Sequence, residues 1–487
     1  MKILPRRPAQ FLLLALSALV ALAWPTAVPA QGSSPSLRLV SPGGHVTLHR
    51  FGGRVTLDLG VWVAATGGDF QLDVARPDYD TPVAIEQVDA ATGDVIRDLP
   101  DDTLDGWFGL SRFVRVIVRK PDGRAVRHGY FTFCPNGWER QRVDDSGPEL
   151  SRYPTFCGAF SPFTRGMVWG VDSGWATNAL SGGDFGAPSL ELRDGDYSMV
   201  VRITRPYADL LEIPAEDAEV TVDVTVRTVR DRMPVGARHS AQHSSRAPVQ
   251  SLGVPDVTDP DPDTLPDLVA VPAWAMDTFH RRGRDYLGFA ASPWNAGPAP
   301  MVVEGFRRSG EEVMDAYQYF RDADGDVVGR AQVGTMAYHA GGGHNHWHFL
   351  QFAAFTMHDA ADLELVRSKK QAFCLAPTDP IDLTVERASW VPWEGVSTSC
   401  GFSANALWVR EVLQTGWADT YYQGVAGQAF NITSLRNGWY HVKVELNPLG
   451  NLYEVTTANN VESRLVYLGG RPGARRVIVT PWHGIEF

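Results

Sequence analysis

Three histidines alternate along one short segment of the chain and could bind a metal ion together. His344, His346 and His348 occupy every second position, and alternate side chains of a β-strand point to the same face. Imidazole nitrogens suit copper, zinc, iron and nickel, and the affinity of divalent ions for such donors is highest for copper. The spacing therefore predicts a three-histidine metal site, with copper favoured and zinc left open.

Two further histidines, His339 and His358, lie close to this triplet. Either could hydrogen-bond to a metal ligand and orient it, but an ordinary surface or core role is expected for both. A cupin-like dioxygenase or hydrolase would need a carboxylate shortly after its paired histidines. Residues 349–355 offer only Gln351, which counts against a cupin-like enzyme.

The motifs that follow the triplet resemble the lysyl oxidase family. Residues 344–348 (HNHWH) are followed by residues 369–375 (KKQAFCL) and then by residues 419–421 (DTY), in the order of the family's copper-binding and cofactor-forming residues. The flanking pieces that also match are residues 265–269 (LPDLV), Asn447, Pro448, Glu454, Asn459 and Asn460. The resemblance covers about residues 265–470, whereas residues 31–230 show no comparable resemblance.

Members of this family make their own cofactor, lysine tyrosylquinone, from a lysine and a tyrosine of the chain. The resemblance implies that Tyr421 is the ring that is oxidised with copper and dioxygen. It also implies that Lys370 supplies the cross-linked amine, because Lys370 lies four residues before Cys374, as the family's lysine does before its cysteine. Lys369 is the alternative. The histidines, a lysine and a tyrosine should then meet in one pocket.

The activity that the resemblance implies is oxidative deamination of a primary amine to an aldehyde, with release of hydrogen peroxide and ammonia. The substrate would be a primary amine, with lysine side chains of an extracellular protein as one option, and dioxygen would be the oxidant. Asp419 is the expected base, since it lies two residues before Tyr421 on a segment expected to be extended. A carboxylate serves as a base near neutral pH only when its pKa is raised.

The resemblance also implies a calcium site near the ends of the catalytic region. Its oxygen donors, the kind that a hard cation requires, would be Asp267, the backbone carbonyl of Leu268, Glu454, Asn459 and Asn460. Thr456 stands where the family carries a further aspartate, which predicts a weaker site. Residues 322–326 (DADGD) look like part of a calcium loop but lack its final glutamate, and are predicted to form a hairpin turn.

The chain departs from the family pattern at three points. The stretch between Lys370 and Tyr421 is longer, the cysteine-rich bridging of the animal enzymes is reduced to one pair, and Phe355 stands in place of a further histidine. These differences concern the substrate and the efficiency of the reaction. They leave the three histidines and the two cofactor residues in place.

Strands are expected to position these side chains, and the fold class predicted is all-β. Residues 113–118 and 125–133 flank a KPDG turn, which predicts a hairpin, and residues 197–204 and 218–229 alternate apolar and polar side chains. These patterns predict a β-sandwich-like domain within residues 31–230.

A polar segment, residues 231–264, is predicted to be a linker. Residues 265–487 are predicted to form a second domain, a β-sandwich similar to lysyl oxidase with long loops and one helix near residues 404–414.

The first thirty residues have the pattern of a secretory signal. Lys2, Arg6 and Arg7 precede an apolar run at residues 11–24, and residues 28–30 (VPA) supply small side chains for cleavage. The run is shorter than the roughly 20 residues of a membrane-spanning helix. We therefore expect a secreted protein with no membrane span after cleavage.

Four cysteines in an exported chain favour two local disulfides. Cys134 and Cys157 are 23 positions apart, and Cys374 and Cys400 are 26 apart, so these pairs are the expected ones. The sequence allows three connectivities, and free buried thiols are the alternative.

The charge of the chain excludes one broad class of partner. With 44 Lys and Arg against 56 Asp and Glu, the net charge is -12, which provides no overall basic field for nucleic acid or anionic membranes. No nucleic-acid partner is expected. The leading hypothesis is a secreted copper- and quinone-dependent amine oxidase, and the alternative is an exported copper-binding protein in which the quinone does not form.

Overall fold

The computed structural model describes residues 34–486, apart from residues 159, 181–187, 230–252, 309, 341–344, 371, 394, 402 and 426. The predicted signal at residues 1–30, much of the predicted linker and the predicted ligand His344 therefore lie outside the described residues. Strands dominate the described chain, and helix is confined to short segments such as α1 (Arg205–Leu210). The predicted all-β fold class is confirmed.

Fifteen strands precede the predicted linker. They are β1 (Ser36–Val40), β2 (His45–Phe51), β3 (Arg54–Thr56), β4 (Trp62–Thr66), β5 (Phe70–Ala75), β6 (Ala84–Asp89), β7 (Val95–Leu99), β8 (Leu110–Arg119), β9 (Ala125–Phe133), β10 (Arg140–Arg142), β11 (Gly166–Val171), β12 (Trp175–Asn178), β13 (Ser189–Glu191), β14 (Gly195–Ile203) and β15 (Glu219–Thr228). Their sheets have the orders β1-β4-β12-β10, β11-β5-β6-β7 and β13-β3-β2-β15-β14-β8-β9.

The strands expected from the sequence in this region are all present. β8 and β9 pair as an antiparallel hairpin around the KPDG turn, where Gly123 takes a positive φ of 83°. β14 pairs with β15, whose Val222, Val224 and Val226 are buried while the residues between them face outward. This alternation is the period-2 pattern of a half-buried strand. The sandwich arrangement of these sheets stays a prediction.

Eighteen strands follow. They are β16 (Leu268–Val269), β17 (Trp274–Arg281), β18 (Arg284–Ala290), β19 (Trp294–Asn295), β20 (Met301–Arg307), β21 (Val313–Arg321), β22 (Val327–His339), β23 (His346–Leu350), β24 (Ala353–His358), β25 (Glu364–Arg367), β26 (Ala372–Phe373), β27 (Asp379–Pro380), β28 (Trp408–Leu413), β29 (Trp417–Ala418), β30 (Ala429–Asn431), β31 (Gly438–Leu446), β32 (Val461–Arg471) and β33 (Ala474–Val479). The sheets are β16-β19-β29-β27, β17-β18-β30, β26-β23-β22-β21-β20-β28 and β25-β24-β31-β32-β33.

The predicted helix near residues 404–414 is wrong, because this segment contains strand β28. It pairs along its whole length with β20. Residues 409–413 are buried on both faces of the strand, and the buried Arg410 is neutralised by Glu304, with Nε 2.9 Å from Oε1. A strand that is buried on both faces lacks the alternation that identifies strands in a sequence.

The predicted hairpin turn at residues 322–326 is confirmed. It joins β21 to β22, and the Asp322 carboxylate accepts hydrogen bonds from the backbone N–H groups of Asp324 and Asp326. This carboxylate is therefore used to close the turn.

Both predicted disulfides, Cys134–Cys157 and Cys374–Cys400, are formed, with Cα–Cα distances of 5.7 and 5.8 Å.

Residues on either side of the predicted linker share one core. Residues 164–166 run alongside residues 380–383, where Arg165 N donates to Ile381 O at 2.5 Å and Leu383 N donates to Gly166 O at 2.9 Å. A Cβ atom at Gly166 would lie 2.2 Å from Asp382 Oδ1, so a larger residue would displace the buried Asp382 side chain.

Aromatic rings extend this shared core. The buried Phe163 packs edge-on against Trp274 and Trp482, and Tyr153 stacks on Trp390 with ring centroids 5.6 Å apart. Residues from Pro35 onward accordingly form one compact unit. No helix in the described part of the chain has the length and apolar character needed to cross a membrane.

Candidate active site

Strand β23 presents two of the predicted metal ligands. His346 and His348 lie on one face, and their Nε2 atoms are 2.9 Å apart. Nitrogens bound to one ion at about 2.0–2.1 Å lie about 3 Å from each other, so this pair fits a shared metal ion. Among the described residues no cluster of three His, Cys, Asp or Glu side chains could hold a metal, and the third predicted ligand lies outside them.

The two neighbouring histidines differ in their surroundings. His339 lies opposite His346 on β22, and its ring centroid is 5.5 Å from that of His348. His358 is at the end of β24, where its Nδ1 contacts the backbone carbonyl of Asp362 and its Nε2 contacts the Thr356 hydroxyl. His339 is therefore close to the pair, while the ring of His358 contacts groups of its own strand and of the following turn.

Lys370 and Tyr421, which are 51 positions apart in the sequence, meet in the interior. The Lys370 Nζ lies 4.1 Å from the centroid of the Tyr421 ring and 4.8 Å from that of Phe373. Lys370 is 5% exposed, whereas Lys369 is exposed to solvent. The structure thus brings one of the two candidate lysines to the tyrosine.

Backbone groups hold both side chains in place. The Tyr421 hydroxyl donates to the carbonyl of Cys374 at 3.1 Å and accepts from its N–H at 3.2 Å. On the lysine side, the Ser368 hydroxyl accepts from Lys370 N and donates to Gly427 O. A Cβ atom at Gly427 would lie 3.0 Å from Lys370 N, so this close approach favours glycine.

Asp419 lies two residues before Tyr421 on an extended segment, as predicted. Its N–H donates to Pro293 O, and Tyr421 pairs with Ala291 through two backbone hydrogen bonds. The Asp419 side chain is 2% exposed, and its buried Oδ2 has no hydrogen-bond partner among the described residues. An acceptor left unsatisfied in this way is costly and is typical of a functional position.

Burial dominates the electrostatics of these three groups. It lowers the pKa of the Lys370 ammonium to about 8, although the nearby Asp419 carboxylate partly opposes this change. Burial also raises the pKa of Asp419 well above its usual value, with Lys370 acting in the opposite direction. The pKa of Tyr421 is raised by burial and by the Asp419 carboxylate. A neutral amine and a more basic carboxylate are therefore both accessible near neutral pH.

Comparison with known families gives a match over this region of the chain. Residues 324–473 match the sequence model of the family described as lysyl oxidase. The chain contains a lysyl oxidase domain. The match includes the histidine pair, Lys370, Asp419 and Tyr421. A comparison with curated proteins gives no match. In the structure, the sheet of the lysyl oxidase domain that carries the histidines begins upstream of the match, with β20 and β21.

Sequence reasoning missed Glu411, a fully buried carboxylate in β28 of the lysyl oxidase domain. Its Oε1 accepts from Phe349 N at 3.1 Å, and its Oε2 accepts from Leu375 N at 3.0 Å. Phe349 follows His348, and Leu375 follows the cysteine that holds the Tyr421 hydroxyl. Glu411 therefore ties the histidine strand to the segment that fixes the tyrosine. The only signal in the sequence was a pair of charged residues, Arg410 and Glu411, inside an otherwise apolar run.

Loss of the Glu411 carboxylate is expected to destabilise the lysyl oxidase domain. Glu411→Leu leaves two buried backbone N–H groups without acceptors, at about 1–3 kcal/mol each, and Glu411→Gln leaves one. Urea unfolding of the metal-free protein should show a larger loss of unfolding free energy for Glu411→Leu than for Glu411→Gln. Glu386→Gln, at an exposed glutamate, is the matched control and should stay within about 0.5 kcal/mol of the parent. Equal stability of Glu411→Leu and the parent would contradict the bridging role.

The predicted calcium ligands lie together in the structure. Asn459 Nδ2 donates to both Asp267 carboxylate oxygens, and Asn460 Nδ2 donates to Glu454 Oε1 at 2.7 Å. The Leu268 N–H donates to the other Glu454 oxygen. The side-chain oxygens of Asn459 and Asn460 are buried and accept no hydrogen bond from any residue that the structure describes. A hard cation would satisfy such oxygens, so the donor set fits the ion.

Proposed function

We propose that the chain is a secreted, copper-dependent amine oxidase that forms lysine tyrosylquinone from Lys370 and Tyr421. The observation that carries the proposal is the position of Lys370 Nζ, 4.1 Å from the centroid of the Tyr421 ring, inside a lysyl oxidase domain. The two disulfides support export, because such bonds persist in oxidising compartments.

The histidines are proposed to hold copper. His346 and His348 have the separation that two ligands of one ion require, and His344 would be the third ligand. In this pocket, copper would enable dioxygen to oxidise the tyrosine ring, and the resulting quinone would take two electrons from a primary amine. A calcium site formed by Asp267, the Leu268 carbonyl, Glu454, Asn459 and Asn460 is proposed as a structural site.

Lys370 is proposed as the amine that joins the ring, in preference to Lys369. Its Nζ already lies beside the ring, and burial lowers its pKa to about 8, which increases the fraction of neutral, nucleophilic amine. The hydrogen bonds from the Cys374 backbone fix the ring oxygen, and Phe373 packs edge-on against the ring with centroids 4.9 Å apart. The ring is thus held with one side toward the amine.

Asp419 is proposed as the base that removes the α-proton of the substrate. Its buried Oδ2 has no hydrogen-bond partner in the described part of the chain, so it is available to accept a proton. Its pKa is raised by burial, which strengthens it as a base. The overall reaction balances as amine, dioxygen and water giving aldehyde, ammonia and hydrogen peroxide. A primary amine, including the lysine side chain of an extracellular protein, is the proposed substrate class.

One experiment tests the function directly. The mature protein is loaded with copper under air, its visible spectrum is recorded, and phenylhydrazine is added. A quinone band that shifts on forming an adduct, together with peroxide release from a panel of primary amines, is expected. A colourless copper protein that does not react with phenylhydrazine would refute the proposal and leave a copper-binding role.

The rate of cofactor formation is expected to rise with pH and level off near pH 8. Below the pKa of Lys370, each pH unit increases the neutral amine about tenfold, and above it the amine is already neutral. The measurement follows the quinone band after copper is added to metal-free protein between pH 6 and 10. Lys369→Ala should give the same profile. A rate that climbs steadily to pH 10, as for an ordinary lysine, would show that burial does not activate this amine.

A further inference from the structure

An arginine-lined cleft lies on the outer face of the seven-stranded sheet, in the region whose function the sequence leaves open. Its volume is about 400 Å³. The charged residues that line it are Arg112, Arg115, Arg202, Arg205 and Asp102. The cleft thus concentrates positive charge in a chain whose net charge is -12.

The strand register places two of these arginines side by side. Arg115 on β8 is directly opposite Arg202 on β14, and on its other side it faces Tyr130 on β9. Like charges directly opposite each other destabilise a sheet. Arg202 is compensated by Glu219, its partner on β15. Arg115 has no ion pair with any described residue, and its Nε is buried without a hydrogen-bond partner. A bound anion would supply the Arg115 guanidinium with an ion-pair partner.

Arg112 is held over the cleft by a strained backbone. Its φ is +55°, which is unfavourable for a residue with a Cβ. Its carbonyl accepts a hydrogen bond from the Thr204 hydroxyl at 3.1 Å, and its guanidinium lies 4.1 Å from the centroid of the Tyr130 ring. Strain of this kind persists where surrounding contacts enforce it, which is frequent at ligand sites. The Tyr130 ring thereby orients both Arg112 and Arg115, whose guanidinium is 5.4 Å from it.

We propose that this cleft binds a sulfate or phosphate group. All four cations are arginines, and the planar guanidinium fork matches oxyanions through paired hydrogen bonds, whereas lysine acts as a point charge. Arg205 is exposed and pairs with Asp209 at 3.3 Å, so its charge is compensated as that of Arg202 is. Arg112 and Arg115 are the recognition residues. The group could be a free ion or a substituent of an anionic glycan.

Inorganic sulfate and heparin are the two probes for this site, used with the full chain at constant ionic strength set by chloride. Sulfate is expected to raise the melting temperature in a saturable manner. Arg115→Lys, which keeps the charge but loses the fork, should weaken sulfate binding at least tenfold, and Arg112→Ala should do the same. Arg124→Ala, an exposed arginine in the turn after β8, is the charge-matched control and should bind sulfate normally.

The outcomes separate the two sources of the anion. Saturable sulfate binding without heparin retention supports a free ion, and heparin retention that is lost in Arg115→Lys and kept in Arg124→Ala supports a glycan. The proposal is overturned if neither probe binds saturably, or if both arginine variants bind like the control. Circular dichroism of each variant checks that the sheet is intact. Quinone formation is scored separately, so failure of this site and failure of the oxidase proposal are distinguishable.

Discussion

Tyr421→Phe is expected to abolish the quinone band completely while copper still binds. A phenylalanine ring has no phenol oxygen from which the quinone can form, but the histidine strand β23 is unchanged. The lost hydrogen bonds to the Cys374 backbone should cost about 1–3 kcal/mol of unfolding free energy, because one buried N–H and one carbonyl lose their partner. Visible absorbance and the phenylhydrazine adduct measure the first effect, and bound copper is measured by elemental analysis.

The neighbouring tyrosine provides the matched control. Tyr422→Phe changes the same atom at an adjacent, half-exposed position and should leave the quinone intact. Lys370→Ala should also prevent the cross-linked cofactor, and Lys369→Ala should not. Peptide mass spectrometry of the copper-treated parent should show Lys370 joined to Tyr421. A band that survives Tyr421→Phe, or a cross-link to Lys369, would disprove the assignment.

Asp419→Asn is expected to lower amine turnover about 10² to 10⁴-fold, the range that general-base catalysis supplies. Asparagine has the same shape but cannot accept the α-proton, so the quinone should still form and react with phenylhydrazine. The measurement compares kcat for benzylamine and its α-deuterated form. The deuterium isotope effect on kcat should be as large in Asp419→Asn as in the parent, or larger, because slower removal of the α-proton makes that step more rate-limiting.

A second buried carboxylate tests whether this effect is specific. Asp379 is also buried and pairs with Ala418, the residue before Asp419, but its carboxylate accepts from the Thr378 hydroxyl. Asp379→Asn should keep most of the activity. If Asp379→Asn loses turnover and Asp419→Asn does not, the base has been assigned to the wrong carboxylate.

The parts of the site that follow from local periodicity could be predicted from the sequence. Alternation along a strand is enough to place His346 and His348 on one face, and the KPDG turn is enough to place a hairpin. The meeting of Lys370 with Tyr421 does not follow from any local pattern, and only the resemblance to a family indicated it. Their roles in chemistry stay predictions until the variants are measured.

Features set by long-range packing could not be predicted. Glu411 lies in a strand buried on both faces, so its segment gave no period-2 signal and suggested a helix. The contact between residues 164–166 and residues 380–383 joins segments more than 200 positions apart, and nothing in the flanking sequence distinguishes Gly166 from a glycine in a loop. The arginine row across β8 and β14 becomes visible only once the register is known.

The shared core around Phe163 determines what proteolysis between the two disulfide-bonded regions would do. Neither disulfide crosses the segment 230–252, since Cys134–Cys157 lies before it and Cys374–Cys400 lies after it. A protease that cut within this segment would break the covalent link between the two halves. The backbone hydrogen bonds and aromatic contacts would still hold them together, so the products should migrate as one species in gel filtration and as two under denaturing conditions. Cleavage there would not release an independent catalytic fragment.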